Sequence, residues 1–401
     1  MKKLKELSKF ITVLMVRVVS HILCFLPMKK KQIIFFSQNG NQYSCNPKYI
    51  SEQIEKDYPR VFERIWAFNQ PEKFSFLKEQ GIKLVRYRSI AFYYYFYTSG
   101  VNICNVNASG ELFSRKGQIA IQTWHGGGGG YKKSNSDDKT LSYFEQKRLI
   151  WDNKRYTIVI ASSETNMKNT AIGAIKHKGI IIGGTPRNDI LVNGNRDDLK
   201  LKVREYYHLC AEDKIVLYAP TWRKDRSFID YDLDFNLLSQ SLKERFGGNW
   251  KILVRLHHMV KVDCSSLQGD FINASSYHDM QELLYASDVL ISDYSSSIWD
   301  FSFTCKPCFL FCSDLSSFTA ERDFYIPIRN WGFPVCESNQ ELKEEILNFN
   351  EKDFIEHMIQ HHEQNHSFEN GYAAENICKL IYGLSVKNCL PEELPYKQLS
   401  R

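Results

Sequence analysis

The sequence predicts an α/β protein with two domains, each built on a parallel β-sheet. The chain of 401 residues is long enough for two domains of ordinary size, and its 43% hydrophobic content is typical of globular proteins. From residue 33 onward, short apolar runs alternate with amphipathic segments. This alternation is typical of parallel strands joined by crossover helices, and we expect a ligand cleft between the two domains.

Residues 1–31 are predicted to form an amphipathic membrane-associating helix. They carry eight basic residues and one glutamate, whereas the net charge of the whole chain is +6, so the folded body is close to neutral. A nucleic-acid-binding protein should carry its positive charge on that body, which argues against this class. At helical spacing the segment has an apolar stripe, and Val13, Val16 and Leu23 intrude on the opposite, more polar face.

This segment allows three roles. An apolar stripe beside lysines favours a helix that lies on an anionic membrane surface. A membrane span needs about 20 apolar residues, and Arg17 and His21 interrupt a run of barely sufficient length. A helix docked on the protein's own core is the third possibility. No small-residue cleavage site follows, and the lysines at 29–31 would resist export, which argues against a signal peptide.

The first domain is expected to cover residues 32–205, with a hinge near 185–213. Its predicted strands are the apolar runs QIIFFS, RVFERIWAF, IKLVRY, VNICNVN, QIAIQTW, YTIVIAS and GIIIG. Its predicted helices lie near 47–58, 71–80, 138–152 and 163–175.

The second domain is expected to cover residues 206–385, followed by a loose tail at 386–401. Its predicted strands are KIVLYAP, WKILVRLHH, FINAS, DVLISD and PCFLFC. Its predicted helices lie near 234–246, 279–286, 295–304 and 338–348.

The cysteines indicate a reducing compartment. There are eleven of them, an odd number without regular spacing, which is typical of free thiols in a cytosolic protein. Cys305, Cys308 and Cys312 suggest zinc as one alternative, because the first two have CxxC spacing. No second CxxC motif accompanies them and the run is strand-like, so buried thiols are favoured.

The stretch HMIQHHEQNH contains two histidine pairs at helical spacing. His357 pairs with His361, and His362 pairs with His366. A metal site would also need suitably placed carboxylates, so a solvated helix face is favoured. No metal is expected.

Chemically suggestive residues follow the predicted strands directly. They occur in QTWHGGGGG, GTPRND, YAPTWRKDR, RLHHMV and SDYSSSIWD, each of which starts where an apolar run ends. Ligands of parallel α/β sheets bind beyond the carboxyl ends of the strands, so these motifs are expected to converge on the ligand.

His125 leaves its strand into the glycine run 126–130. Glycines allow a ligand to approach backbone N–H groups closely, which makes Gly126 and Gly127 candidate phosphate-binding residues. Lys132 and Lys133 would add positive potential. The run matches neither the Walker loop nor G-x-G-x-x-G, and a flexible surface loop is the alternative.

Arg187 and Arg223 are candidate phosphate ligands, because a guanidinium offers two parallel hydrogen bonds to an anion. GTPRND could instead form a turn at Thr185, with Asp189 capping a helix. His257 ends a central strand of the second domain, and it is expected across the cleft from the glycine-rich motif.

Asp293, Ser295 and Ser296 are further candidates for phosphate binding. They precede a predicted helix, where hydroxyls and free N–H groups at the positive end of the dipole form an anion site. Plain N-capping by Asp293 or Ser295 is the alternative.

Taken together, the motifs resemble those of the CDP-glycerol:glycerophosphotransferase family, the wall teichoic acid primases and polymerases of bacteria. The likeness covers roughly residues 33–382 and consists of QTWHG, GTPRND, YAPTWR, RLHH and SDYSS in order, with weaker matches in ERDFY and NGYAAENI. It implies a GT-B architecture of two Rossmann-like domains. The chain departs from the family where His125 is followed by glycines instead of G-T-P, at His257-His258 instead of H-P, and at Asp323, where glycine is usual.

The resemblance implies transfer of a polyol phosphate, with glycerol phosphate expected first, from a CDP-activated donor to a hydroxyl of a lipid-linked acceptor, releasing CMP. His125 would be the general base and His257 would bind or protonate phosphate oxygens. Arg187, Arg223 and the serine-rich helix start would hold the pyrophosphate. CDP-glycerol or CDP-ribitol is then a substrate and no cofactor is implied. The expected location is the cytoplasmic face of the membrane, peripherally bound, in teichoic acid or capsule-type polymer synthesis.

Two other functions remain open from the sequence. A GT-B glycosyltransferase using a nucleotide sugar could employ the same domains and a histidine base. A catalytically inactive membrane scaffold is the third reading, against which the two intact histidine motifs argue. The absence of an additional N-terminal domain favours addition of a single unit, as a primase would perform, and the oligomeric state is left open.

Overall fold

The computed structural model describes residues 2–127, 141–221, 232–256, 269–321 and 324–398. The chain divides into two compact units. The first comprises Met1–His125, Lys133–Asp189 and Phe368–Arg401, and the second comprises Gly126–Lys132 and Ile190–Ser367. Both units are built on largely parallel β-sheets, so the predicted α/β class with two parallel-sheet domains is confirmed.

The sheet of the first unit has eight strands, in the order β14-β7-β6-β5-β4-β1-β2-β3. Its strands are β1 (Lys29–Phe36), β2 (Glu63–Phe68), β3 (Lys83–Arg86), β4 (Ser99–Cys104), β5 (Ile119–Gln122), β6 (Ile158–Ala161), β7 (Ile180–Gly183) and β14 (Tyr396–Gln398). All neighbouring pairs are parallel except β14, which runs antiparallel to β7 at the edge.

The sheet of the second unit has six parallel strands, in the order β10-β9-β8-β11-β12-β13. These strands are β8 (Asp213–Tyr218), β9 (Asn249–Val254), β10 (Ile272–Asn273), β11 (Val289–Ser292), β12 (Cys308–Phe311) and β13 (Val335–Cys336).

The α-helices of the described residues connect these strands. They are α1 (Lys2–Leu23), α2 (Cys45–Asp57), α3 (Ile90–Thr98), α4 (Tyr143–Arg155), α5 (Glu164–Asn166), α6 (Asp189–Asn193), α7 (Asp197–Tyr206), α8 (Phe235–Phe246), α9 (Met280–Ala286), α10 (Ser297–Phe301), α11 (Leu315–Glu321), α12 (Asn339–Leu347), α13 (Glu351–Gln364) and α14 (Ala373–Tyr382). The predicted helix at 71–80 is a 3-10 helix, Pro71–Lys78.

The core of the first unit lies on both faces of its sheet because β1 is apolar at every position from Ile33 to Phe36. Successive side chains of a strand point to opposite faces. Accordingly, Ile33 and Phe35 join a cluster that includes residues of α2 and α14. Ile34 and Phe36 join a second cluster that includes residues of α3.

The division of the chain differs from the predicted one in two places. The expected boundary lay between residues 205 and 206, whereas the two units meet in sequence at Asp189 and Ile190, and α7 belongs to the second unit. Residues from Phe368 onward return to the first unit, although 368–385 were expected in the second domain. The tail predicted to be loose supplies β14 and packs Leu390 and Leu394 against the core.

The N-terminal helix α1 is docked on the first unit rather than separate from it. It packs against α3 and α4. Arg17 Nη1 donates to the carbonyl oxygens of Gly110 and Leu112 at 2.8 and 3.0 Å, and Glu6 pairs with Arg148 at 2.8 Å. The predicted possibility of a helix docked on the protein's own core is therefore realised by one side of α1.

The other side of α1 is exposed and apolar. The docked side includes Val13 and Ser20, which are buried, and Val16, which is half-buried. Val13, which intrudes on the more polar face of the helix, is therefore covered by the rest of the protein. The exposed apolar residues of α1 are Leu7, Ile11, Leu14, Met15, Val18, Val19 and Ile22, followed beyond the helix by Phe25, and Ser8, Lys9, Thr12 and His21 are also exposed. Of the helices in the described ranges, none has both the length and the hydropathy of a membrane span.

Two predictions about cysteine and histidine have different outcomes. Cys308 and Cys312 are fully buried thiols, as predicted, whereas Cys305 is only half-buried, and burial raises the pKa of Cys308 well above its ordinary value. The predicted solvated face of α13 is wrong for His361 and His362. Their rings stack on Trp299 and Phe303, each with centroids 4.3 Å apart. Aromatic rings of α10 and of the turn directly after it thus cover these imidazoles.

Candidate active site

His125 lies just beyond the carboxyl end of β5, where the sequence predicted it. It is half-buried, and its Nδ1 is 2.8 Å from the backbone carbonyl oxygen of Asn105. A carbonyl oxygen only accepts hydrogen bonds, so Nδ1 carries the proton and donates. In the neutral ring this leaves the basic lone pair on Nε2.

Asn105 gives this carbonyl a fixed position. It follows β4, the neighbour of β5, and it is fully buried. Its Oδ1 accepts the backbone N–H of Gln38 at 2.9 Å, and its Nδ2 donates to Ser37 Oγ at 3.1 Å. The orientation of the imidazole is therefore tied to the loop that follows the central strand β1.

Trp124 carries local backbone strain next to the histidine. Its φ of 52° lies in the left-handed region, which is costly for a residue with a large side chain. Its N–H donates to Gln122 Oε1 at 3.0 Å, and its carbonyl accepts Asn46 Nδ2 at 3.0 Å. These two bonds hold the unusual conformation and direct His125 away from the strand.

Asn46, at the start of α2, joins two of the sequence motifs. Its Nδ2 donates to the carbonyl oxygens of Thr123 and Trp124 at 3.1 and 3.0 Å, and its Oδ1 accepts the N–H of Arg187 at 3.1 Å. The side chain is fully buried. One side-chain amide thus holds both the backbone of QTWHG, where the chain leaves β5, and the GTPRND loop. The sequence analysis missed this residue, although its place at the start of a helix that follows a buried strand was a usable signal.

Arg187 lies in the interior of the first unit and is only 3% exposed. Its Nη1 is 3.8 Å from Cys45 Sγ, and its charge acts on the Glu369 carboxyl group. Glu369 Oε2 accepts the N–H of Thr185 at 2.9 Å. Burial raises the pKa of Glu369 to about 8, and the Arg187 charge opposes that rise. The predicted contact of Arg187 with a phosphate stays a prediction.

Asp189 caps α14, the helix that carries the weaker motif NGYAAENI. Its two carboxylate oxygens accept the N–H groups of Ala373 and Ala374 at 3.0 and 2.8 Å. Burial raises the pKa of Asp189 to about 6. The helix-capping role considered for this residue is confirmed, and it links two motifs that lie 184 residues apart in sequence.

In the second unit, Asp293 follows β11 and holds the loop that follows β8. It is almost fully buried, and its carboxylate accepts the N–H of Thr221 at 2.9 Å and the hydroxyl of the same residue. A carboxylate that accepts these bonds positions Thr221, the last described residue of the YAPTWR motif. Its predicted role in binding phosphate stays a prediction.

The serine-rich turn precedes α10, which begins at Ser297 instead of the predicted 295. Ser295 Oγ accepts the N–H of Ser297 at 3.3 Å and its hydroxyl at 2.9 Å. Ser295 and Ser296 are both half-buried. The capping alternative is thus realised by Ser295, whereas Ser296 makes no side-chain cap.

The structure describes only some of the other candidate site residues. Gly126 and Gly127 directly follow the histidine and are half-buried. His257, Arg223, Lys132 and Lys133 lie outside the described residues, as do the glycines at 128–130.

The chain is similar to known proteins over most of its length. The profile of the family described as CDP-glycerol:poly(glycerophosphate) glycerophosphotransferase matches residues 18–383. The teichoic acid poly(glycerol phosphate) polymerase of Staphylococcus epidermidis is 29% identical over 377 residues, covering 88% of this chain and 51% of that protein. The chain therefore spans about half the length of that polymerase.

Two further comparisons cover almost the full length of the matched protein. The teichoic acid glycerol-phosphate transferase of Staphylococcus aureus is 26% identical over 375 residues, covering 88% of this chain and 94% of that protein. The solved structure of the wall teichoic acid polymerase TagF is 25% identical, with a TM-score of 0.78, over 96% of this chain and 98% of that one. The chain belongs to the CDP-glycerol:poly(glycerophosphate) glycerophosphotransferase family.

Proposed function

We propose that this protein transfers a polyol phosphate, glycerol phosphate first, from a CDP-activated donor to a hydroxyl of a lipid-linked acceptor in teichoic acid synthesis. The observation that carries the proposal is the geometry of His125. Its Nδ1 is committed to the Asn105 carbonyl, which leaves Nε2 as the basic nitrogen at the carboxyl end of a parallel strand. The names of the relatives support glycerol phosphate over other transferred groups.

In this reaction the acceptor hydroxyl attacks the β-phosphorus of the CDP-polyol, and its proton passes to His125 Nε2. A new P–O bond forms to the acceptor. The bond from the β-phosphorus to the bridging oxygen breaks, and CMP leaves with that electron pair. Positive groups must stabilise the charge on the transferred phosphoryl oxygens, and Arg187, Arg223 and His257 are the residues proposed for this task.

The acceptor and the location are also part of the proposal. The exposed side of α1 presents a continuous apolar strip, and lysines at 29–31 are exposed just beyond it. A helix that buries an apolar face in a membrane interface beside cations binds anionic lipid surfaces. Such binding would hold the protein peripherally at the cytoplasmic face, within reach of a lipid-linked substrate.

The test is a nucleotide-release assay with purified protein, a lipid-linked glycan acceptor and, separately, CDP-glycerol, CDP-ribitol or UDP-sugars. We expect release of CMP from CDP-glycerol and mass-shifted acceptor. Removal of a general base typically costs about 10²–10⁴-fold in rate, so His125→Ala should lower CMP release by that factor. His357→Ala, at an exposed histidine of α13, is the matched control and should keep full activity.

Other outcomes point to other functions. UDP release from a UDP-sugar in place of CMP release would support a nucleotide-sugar glycosyltransferase. A protein with no turnover and no thermal shift with any nucleotide would be a scaffold. Full CMP release by the alanine variant at position 125 would remove this histidine as the base.

A further inference from the structure

A cavity of about 830 Å³ lies at the amino edge of the first unit's sheet. The first residues of three neighbouring strands line it, Ile119 of β5, Ile158 of β6 and Ile180 of β7. His125 follows the opposite, carboxyl end of β5, so the cavity is separate from the candidate active site. Its volume falls within the roughly 300–1,000 Å³ of typical small-molecule sites.

The charged side chains that line this cavity are basic. Lys154, Lys176 and Lys178 line it and are solvent-exposed, and no aspartate or glutamate of the described residues does so. Lys154 and Lys178 form no ion pair within the described part of the chain. His177 also lines the cavity, but burial lowers its pKa, so it stays neutral. The mouth is therefore positively charged at neutral pH and suits an anion.

Much of the remaining wall is apolar. Besides the strand residues, Ile150 of α4, Ile175 and Leu384 line it, and Gln118, Asn153 and Thr157 add uncharged polar groups. A free inorganic anion would use the lysines and leave this wall in contact with water. A ligand with an anionic head and a hydrocarbon chain would satisfy both parts, because burial of apolar surface away from water is favourable.

The same edge carries the exposed end of the N-terminal segment. Met28 lies beside Gly117, which lines the cavity, and Arg115 Nη2 donates to the carbonyl of Cys24 at 2.7 Å. Phe25, between these contacts, is 90% exposed. The lysines at 29–31 start β1 at this edge and are also exposed. An exposed aromatic ring beside lysines is typical of a surface that meets a membrane.

We propose that this cavity binds an anionic membrane lipid, with the lipid phosphate at Lys154, Lys176 and Lys178 and an acyl chain along the isoleucine wall. The lipid is neither donor nor acceptor in the transfer reaction. It seats the amino edge of the first unit on an anionic bilayer at a defined site, in addition to the general contact made by α1.

The test uses the full-length protein and a short-chain phosphatidylglycerol below its micelle concentration, with binding measured by titration calorimetry. The cavity variant is Lys154→Gln/Lys176→Gln/Lys178→Gln. The matched control, Lys56→Gln/Lys73→Gln/Lys78→Gln, removes the same charge from exposed positions of the same unit. Ile150→Trp narrows the cavity without changing charge. Parallel titrations use short-chain phosphatidylcholine and inorganic phosphate.

We expect saturable binding of phosphatidylglycerol, weakened roughly tenfold or more in the cavity variant and in Ile150→Trp, and less than about twofold in the control. Phosphatidylcholine and inorganic phosphate should bind at least about tenfold more weakly. The former has no net negative charge, and the latter has no acyl chain. Equal losses in both triple variants, no saturable binding, or phosphate binding as tightly as the lipid would each overturn the proposal. CMP release with a soluble acceptor should be unchanged in the cavity variant, which separates this proposal from the transfer reaction.

Discussion

At the scale of single residues, the candidate site depends on side chains that hold the backbone as much as on those expected to do chemistry. Asn46 and Asn105 are fully buried, and each uses its amide to bridge separate loops. Their bonds determine where the imidazole of His125 lies and which of its nitrogens is basic. Positioning to a fraction of an ångström is worth a large factor in rate, so these residues should affect turnover.

Asn46→Asp tests this positioning role. Aspartate keeps the shape and the acceptor for the Arg187 N–H, but it cannot donate to the carbonyls of Thr123 and Trp124. We expect kcat for CMP release to fall about 10–100-fold, with a smaller change in KM for CDP-glycerol. Steady-state kinetics with both substrates, together with circular dichroism to verify folding, measures this split.

The control for this variant is Asn236→Asp, at an exposed position in the first turn of α8, where a negative charge is favourable. It should keep wild-type kcat. Wild-type kcat in a folded Asn46→Asp protein would show that the amide bridge does not govern the reaction.

The sequence predicted the positions of His125 and Asp293 along the chain better than the contacts that hold the candidate site together. His125 and Asp293 follow apolar runs, and the rule that ligands gather beyond strand ends placed them correctly at the carboxyl edges of their sheets. Asn46 had only its place at the start of a helix as a signal, and its partners did not follow from it, because they lie 77 and more residues away in sequence. Contacts of that separation follow from strand order, which the sequence pattern does not specify.

At the scale of secondary-structure elements, α1 has two sides of different character. One side is anchored to the first unit through Arg17 and Glu6, and the other side is apolar and exposed. The anchoring explains how such a helix keeps a fixed orientation in the absence of lipid. The exposed side is the part available to a membrane interface.

Ile22→Glu/Phe25→Glu tests that side of α1. Both residues are exposed, so their replacement should leave the melting temperature within about 2 °C. Each carboxylate replaces an apolar group that would enter the interface and repels anionic lipid, so cosedimentation with vesicles of phosphatidylglycerol and phosphatidylcholine should fall about tenfold or more. Leu201→Glu/Ile359→Glu, at exposed apolar positions of the second unit, is the control and should bind vesicles like the wild type. Equal binding by all three proteins would exclude this side of α1 as the contact.

Helix α13 makes the second unit sensitive to acid. Burial lowers the pKa values of His361 and His362 to about 4, from about 6.5 in an unfolded chain. Both rings are therefore neutral when folded, and the stability they contribute is present above pH 6.5 and is lost as the pH falls towards 4. Each lowering of the pKa corresponds to roughly 3 kcal/mol of unfolding free energy.

His361→Phe/His362→Gln should flatten this dependence, because phenylalanine can retain stacking on Trp299 and glutamine can still bond Ser302. Urea unfolding between pH 4 and pH 7.5 measures the effect. The control pair His357→Phe/His366→Gln changes exposed rings near the same helix and should keep the wild-type slope. An unchanged slope in the first variant would assign the acid sensitivity to other groups.

Elements were predictable where the hydrophobic pattern was long and clear. Each apolar run predicted as a strand overlaps one of the observed strands from β1 to β12. The sequence analysis missed α3, whose residues IAFYYYFYT lack a polar face and favour strand by propensity. It also missed β13 and β14, which have two and three residues and form only because a neighbouring strand offers its edge.

At the scale of the whole molecule, the first unit is assembled from distant parts of the chain. The second unit occupies most of the sequence between Asp189 and Phe368, and the chain then returns to add α14 and β14. Asp189 and Glu369 hold the returning segment in place. Each accepts hydrogen bonds from residues that lie on the other side of the inserted unit in sequence. The alternation of strands and helices predicted two domains that follow one another along the chain. Nothing in that pattern indicates that the chain returns to the first unit.

Ending the chain after residue 371 tests this arrangement. The truncated protein lacks α14, whose Ile377, Leu380 and Ile381 are fully buried in the core of the first unit. Loss of even one such side chain costs about 2–5 kcal/mol, so the first unit should not fold, whereas the second should. Limited proteolysis with mass spectrometry should recover only fragments from 190–367. A chain ending at residue 398 is the control, and a protease-resistant first unit in the shorter protein would contradict the expectation.

The returning segment also has a consequence during translation. The ribosome delivers the amino-terminal strands first, yet the helix that covers one face of their sheet is made only after residue 372. Until then, Ile50 and Ile54 of α2, which share a core cluster with α14, lack part of their permanent cover, and nascent chains in this condition are substrates for chaperones. The inserted unit, by contrast, has its whole sequence available before synthesis is finished.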